Sequence, residues 1–284
     1  MYDNGTFVCD KLAHMYVGID IGGSKTLIAV LDDNGVVVEE LKFPTAANYD
    51  AFLNDIAKVL ADFRHKDFRA GGIAMPGKLD RREGIGLEFG NLGWRNVPIQ
   101  ADFEKLLSCP VVIENDANLA ALSEAMLLPD YDKVLYITIS TGIGTGLAVN
   151  QMIDPVFADS EGGQMPLEYH GKLTIWEDFA SGRAIVERFG KKAKDIHDDA
   201  TWRRITHDWA IGMIELIAVV QPSIIVLGGS VGTYFDRYET FLREELNAFH
   251  NPMVPIPPIR QAARPEKAVL FGCYDLAKAK YGYN

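Results

Sequence analysis

Apolar positions along this chain follow two periods. Short aliphatic and β-branched runs, each cut off by glycine, proline, serine or asparagine, predict buried strands at Tyr16–Ile21, Thr26–Leu31 and 71–75. Further strands are predicted from Val111, over Lys133–Ile139 and over Ile224–Leu227, with Val36–Val38 and Leu147–Val149 as return strands of hairpins. Elsewhere the spacing lengthens. Phe52, Ile56, Val59, Leu60 and Phe63 share one face of a helix over 48–63. Helices are also expected from Leu119, over Trp202–Val220 and over Ala268–Tyr281. The segment holding Gly84, Gly86, Gly90, Asn91 and Gly93 is too rich in glycine to read as core. It predicts a loop able to wrap a small polar ligand, with Trp94 as its packing anchor.

One arrangement occurs twice. Residues 16–31 read strand, Gly22-Gly23-Ser24-Lys25 turn, strand; residues 133–149 read strand, Ser140-Thr141-Gly142-Ile143-Gly144-Thr145-Gly146 turn, strand. The repetition predicts a duplicated α/β fold of two lobes flanking a cleft. Residues 15–117, with the last helix from about 266 to 284, form lobe 1, residues 118–265 form lobe 2, and residues 1–14, without periodicity, form a loose tail.

A chain of 284 residues suits two such lobes. No apolar run approaches the ~20 residues of a membrane span, and the start lacks a secretory signal, so a cytoplasmic protein is expected. The net charge is −11 and the basic residues are dispersed, which argues against nucleic acid as a partner. Cys9, Cys109 and Cys273 match neither a disulfide framework nor a zinc spacing.

The candidate chemistry gathers at the ends of strands. Val111-Val112-Ile113-Glu114-Asn115-Asp116-Ala117-Asn118 delivers a carboxylate and two amides to the mouth of a sheet, where open α/β folds keep their sites. Asp116 is the candidate base; alternatively, Asp116 or Asn118 only caps the helix that follows. Gly22 and Gly23 let backbone N–H groups face a phosphate, Ser24 and Thr26 add hydroxyls, and Asp20 is placed to hold hydrated Mg²⁺. Each is also compatible with an ordinary hairpin. Gly228-Gly229 ends another strand, where a nucleoside can approach the bare backbone or the glycines simply bend the chain.

Taken in order, Asp20-Ile21-Gly22-Gly23-Ser24-Lys25-Thr26, Glu114-Asn115-Asp116-Ala117-Asn118, Thr141-Gly142-Ile143-Gly144-Thr145-Gly146 and Leu227-Gly228-Gly229 resemble the motifs of the ROK family (repressor, open reading frame, kinase) from Met15 onward. The resemblance implies the two-lobed actin-like, ribonuclease-H-type fold and an ATP- and Mg²⁺-dependent sugar kinase with Asp116 as general base. Asn91-Leu92-Gly93-Trp94 points to the glucokinase branch, taking glucose to glucose 6-phosphate, the opening step of glycolysis. By the same resemblance, Asn91, Asn115, Asp116, Glu161, Gln164 and Glu177 would bind the hexose. Gly22, Gly23, Lys25, Thr26, Thr141, Gly142, Gly144, Gly228 and Gly229 would bind the nucleotide, with Asp20 near Mg²⁺. A homodimer is common in the family.

Two departures stand out. Gln164 replaces the histidine of the E-x-G-H motif, and Met165–Lys172 replaces the cysteine-rich zinc loop, so no zinc is expected. Packing by Leu167, Tyr169 and Trp176 is expected to hold that loop instead. Other hexoses or N-acyl-hexosamines as acceptors, polyphosphate as donor, and a non-catalytic sugar sensor are the alternatives.

Overall fold

The computed structural model describes residues 14–249 and 251–282. The expected tail, apart from His14, lies outside them, as does Cys9.

Strands β1 (Tyr16–Ile21), β2 (Lys25–Leu31) and β3 (Val37–Pro44) form an antiparallel meander. Helix α1 (Tyr49–Asp62) follows, started by Asn48, whose side chain accepts from the Ala51 N–H at 3.0 Å. Strand β4 (Ala70–Met75) returns parallel to β1. It is buried throughout, which suits an interior strand covered on both faces.

Residues 78–97 correct the expectation of a loop without strands. They form a small antiparallel sheet of β5 (Lys78–Asp80), β6 (Ile85–Glu88) and β7 (Arg95–Val97). Phe89, Leu92 and Trp94 are buried beneath it. Trp94 is the anchor expected: its ring lies 4.6 Å from Phe52, 5.1 Å from Phe89 and 5.2 Å from Tyr49, and its Nε1 donates to the Ala47 carbonyl. The strands are only three or four residues long and glycine interrupts their alternation, which hid them from the sequence pattern.

Helix α2 (Ile99–Leu107) leads into β8 (Val111–Asn115), which adds parallel to β4 and gives the sheet order β3-β2-β1-β4-β8. Helix α3 (Asp116–Met126) starts directly at the end of β8.

The second half repeats this plan. Strands β9 (Lys133–Ile139), β10 (Ile143–Val149) and β11 (Met152–Ile153) form an antiparallel meander. After the hairpin of β12 (Pro166–Tyr169) and β13 (Lys172–Ile175) come α4 (Trp176–Ala180), α5 (Gly182–Phe189) and the long α6 (Asp199–Val220). Strand β14 (Ile224–Gly228) returns parallel to β9; α7 (Gly229–Gly232) and α8 (Phe235–Ala248) follow, and β15 (Ile259–Gln261) extends the sheet. The order β11-β10-β9-β14-β15 matches the first sheet strand for strand, pair direction included. The duplication read from the two glycine-rich turns is thus a duplication of topology. The last element is α9 (Ala268–Tyr281).

Two cores cover the outer faces of the sheets. In one, Ile19, Ile73 and Ile113 meet Phe52 and Phe103; in the other, Ile137 and Leu227 meet Trp176, Trp202 and Trp209. Between the sheets lie α3 and α9, which pack closely on each other. Glycine permits that closeness: a Cβ at Gly272 of α9 would stand 2.0 Å from the Leu119 carbonyl oxygen, and one at Gly146 of β10 would stand 2.1 Å from that of Ala117. Helix α3 is therefore wedged between the halves, and its first turn opens on the cleft.

Candidate active site

The end of β8 decides the centre of the site. Asn115 is extended, and its Oδ1 accepts from the N–H groups of Ala117 (2.9 Å) and Asn118 (3.3 Å), so Asn115 is the cap of α3. The reading of Asp116 or Asn118 as the cap is corrected accordingly. Asp116 occupies the first turn, where its Oδ1 accepts from the Ala117 N–H at 2.7 Å. Burial pushes its carboxyl up to about 6, against the pull of the backbone N–H groups. Asp20, near the end of β1, is pushed up to about 7 by burial and then by the charge of Asp116, with Lys42 pulling it back. Both acids line one cavity of about 370 Å³, together with Lys42 of β3, Thr138, Ser140, Gly229 and Lys267. Contributions from both sheets make this the cleft itself.

The wall formed by Pro265, Glu266 and Lys267 is tied to α3 by a buried acid. Glu124, 1% exposed, accepts from the N–H groups of Ala263 (2.9 Å) and Arg264 (3.2 Å). Lys267 then reaches Glu40 of β3 at 2.7 Å, which joins the two sides of the cleft mouth.

Of the expected nucleotide residues, Gly229 lines the cleft and Thr141 an adjoining cavity, while residues 22–26 line neither. Gly23, Ser24 and Lys25 are exposed, and the Gly22 N–H donates to the Lys25 carbonyl at 3.0 Å. Thr26 is corrected: it is fully buried and its hydroxyl meets that of Thr45 at 2.9 Å. Because Thr45 spends its own proton on the Gly22 carbonyl, Thr26 braces the turn from behind. Gly229, at φ +77°, lines the cleft, while Gly228 packs on Tyr136. Ser140 and Thr141 open on an adjoining cavity of about 350 Å³ with Lys192, Lys194, Ser230 and Tyr234. Gly142 and Gly144 leave room for neighbours, since a Cβ would stand 2.5 Å from the Glu177 Oε2 and 2.9 Å from the Thr138 Cγ2 respectively.

Beside Asn115, at the end of β8, is a third cavity of about 250 Å³, lined by Gly77, Lys78, Leu79, Leu87, Asn115, Ala158, Asp159 and Glu161. Burial raises the pKa of Glu161, Asp116 raises it further, and Lys78 lowers it. Asn115 and Glu161 thus line one cavity. Glu177 is not among them: its carboxylate accepts the Ile143 N–H at 3.1 Å and so braces the turn after Ser140. Gln164 is exposed on the short turn Gly162–Gln164 and lines none of these three cavities. Asn91 lies in the turn Gly90–Leu92, with its side chain outside the described residues. Sequence reasoning missed Lys42, Lys78 and Lys267. Lys78 directly follows the strand-ending Met75-Pro76-Gly77 and was findable; Lys42 lies on an alternating strand and reads as solvent-facing.

The hairpin β12–β13 stands where the zinc loop was expected to be missing. Its Tyr169 ring stacks on Phe179 at 4.0 Å and 11°, Leu167 joins the same core, and Trp176 beneath is fully buried.

The ROK family model matches residues 16–280. Among curated relatives, a Bacillus subtilis (strain 168) protein whose name proposes a fructokinase is 31% identical over 236 residues, 76% of this chain and 77% of its own. The glucokinase of Streptomyces coelicolor is 25% identical over 92% of this chain and 97% of its own. Among solved structures, a ROK family glucokinase from Streptomyces griseus, in complex with glucose and AMPPNP, superposes with a TM-score of 0.79 at 26% identity, covering 93% of this chain and 99% of that one.

Proposed function

The chain belongs to the ROK family and has its actin-like fold, and from that premise we propose that it is an ATP-dependent hexose kinase whose acceptor is glucose, phosphorylated at the 6-hydroxyl. The observation that carries the reading is that Asp116 lines the cleft with Asp20, while Asn115, the residue before it, lines the polar pocket of Lys78 and Glu161, and the charge of Asp116 is felt by Glu161. A base so placed can reach a hydroxyl held in the second cavity while a donor phosphate lies in the first.

Phosphoryl transfer asks little covalent work of a protein, mostly positioning and charge compensation. Asp116 orients the acceptor hydroxyl and takes its proton as the new bond forms. Asn115, Glu161 and Lys78 hold the other hydroxyls; an epimer that leaves one of these groups unpaired is rejected. The backbone of residues 22–25 and 141–144 grips the phosphates, and Lys42 and Lys267 offset their charge in an acidic protein. The adjoining cavity with Ser230 and Tyr234 receives the nucleoside.

Asp20 fits Mg²⁺, a hard cation that takes one or two carboxylates together with phosphate and water oxygens rather than a full protein cage. No group of three or more His, Cys, Asp or Glu side chains suited to a metal occurs among the described residues. When bound, Mg²⁺ would neutralise charge on the nucleotide phosphates beside Asp20.

The relatives' names cover fructose, glucose and N-acetyl-D-glucosamine, so the acceptor is the part to test. Coupled ADP release with glucose, fructose, mannose, N-acetylglucosamine and N-acetylmannosamine should give the highest kcat/KM for glucose, and ATP should outperform polyphosphate. A preference for another sugar reassigns the acceptor. Sugar binding with no turnover on any donor favours a sensor. Among the described residues no helix is long and apolar enough to cross a membrane, and a cytoplasmic enzyme is the setting this chemistry suits.

A further inference from the structure

The acceptor cavity has two walls from different halves of the fold, Gly77–Leu79 and Asn115 on one side and Ala158–Glu161 on the other. One arginine joins them. Arg81, in the turn between β5 and β6, forks onto Glu114 of β8 through Nε (2.7 Å) and Nη2 (2.6 Å). The same Nη2 donates to the Ala158 carbonyl at 2.9 Å, and Nη1 pairs with Asp159. Glu114 is 4% exposed and also accepts from Asn118 Nδ2 (3.0 Å), which donates in turn to the Ala158 carbonyl at 2.8 Å. Asp80 shapes the turn that presents Arg81, its Oδ1 accepting the N–H groups of Arg82 and Glu83 at 3.0 Å each.

A buried ion pair is weak as a source of stability, because desolvation consumes most of what attraction returns. A planar fork with every arm engaged is strong as a source of geometry. We propose that Arg81 is the positioning residue of the acceptor cavity: it holds the wall bearing Glu161 at a fixed span from the wall bearing Lys78 and Asn115. The width of the pocket is thereby set before a sugar arrives, and with it the discrimination between epimers. This rests on the kinase reading above.

The test is steady-state kinetics on the wild type, Arg81→Lys and Asp159→Asn, with KM measured separately for sugar and for ATP and with glucose compared with mannose. Lysine keeps the charge and loses the fork, so Arg81→Lys should raise the sugar KM about tenfold and reduce the glucose-to-mannose ratio of kcat/KM, leaving the ATP KM within about twofold. Asp159→Asn takes the charge from one arm of the clamp and, because that side chain is 80% exposed, spares the fold; it should shift the same two quantities by about threefold at an unchanged Tm. If Arg81→Lys fails to fold, Asp159→Asn decides alone. Unchanged sugar KM and epimer ratio, or sugar and ATP KM rising together, would overturn the proposal. A wild type that phosphorylates no hexose overturns the kinase reading instead.

Discussion

At Asp116 the fold half-buries a carboxylate in the cleft, and the backbone N–H groups at the start of α3 oppose the resulting rise in pKa without cancelling it. The folded value of about 6 lies above the ~3.9 of an unfolded aspartate. The folded state therefore loses stability as pH climbs through that window, and the loss is complete above it. Asp116→Asn should accordingly raise Tm at pH 8 by more than at pH 4, while lowering turnover by about a hundred- to ten-thousandfold; differential scanning calorimetry beside the assay checks both. Turnover in the wild type should rise as pH is raised through about 6, as the base loses its proton. A flat profile from pH 5 to 8 would remove Asp116 from that role. At this scale the sequence was a good guide to the acids and a poorer one to their supports. Asp20 and Asp116 stand at strand ends, where pattern alone points. Thr26 and Glu177 carry the right side chains for ligand contact, yet their hydrogen bonds turn to Thr45 and to the Ile143 N–H. Only the tertiary fold determines that choice.

Among the elements, α3 does most to place the site, because its first turn carries Asp116 while its body is pinned between β10 and α9. Gly272 gives the sharpest test of that wedge. With a Cβ there already 2.0 Å from the Leu119 carbonyl, Gly272→Val must part the helices, at a cost of about 1–3 kcal/mol or more. A lowered urea midpoint should accompany a loss of kcat larger than the fraction unfolded explains; an unchanged midpoint would mean that the helices are not so confined. The strand–turn–strand repeat was legible because its runs are long and uniformly apolar. The sheet of β5, β6 and β7 was not, since three-residue strands broken by glycine carry no period to count. Arg81 was invisible for a related reason. Its partners Glu114, Ala158 and Asp159 are 33 to 78 positions away, and nothing local to Arg81-Arg82 distinguishes it from solvated charge.

For the molecule as a whole, the two matched sheets leave a cleft whose ligand-gripping parts are not yet all in reach. Gly23–Lys25 are exposed and line neither the cleft nor the cavity beside it, so grip on the nucleotide calls for the halves to turn towards each other about the Arg81 clamp, which keeps the acceptor cavity at its span, as lobed kinases close to exclude water. Small-angle X-ray scattering should show the radius of gyration falling when glucose and a non-hydrolysable ATP analogue are both present. No change on saturation would mean that the cleft works as it stands. On the proposed reading this cleft moves a phosphoryl group from ATP to a hexose hydroxyl with Asp116 as base. Phosphorus NMR of the wild type and of Asp116→Asn, each with Mg²⁺, ATP and glucose, tests it most directly. The wild type should give a growing sugar-phosphate monoester signal and ADP, and the variant bound glucose with neither product. A variant that makes the monoester at a near-normal rate, or a wild type that makes none with any hexose, would contradict it.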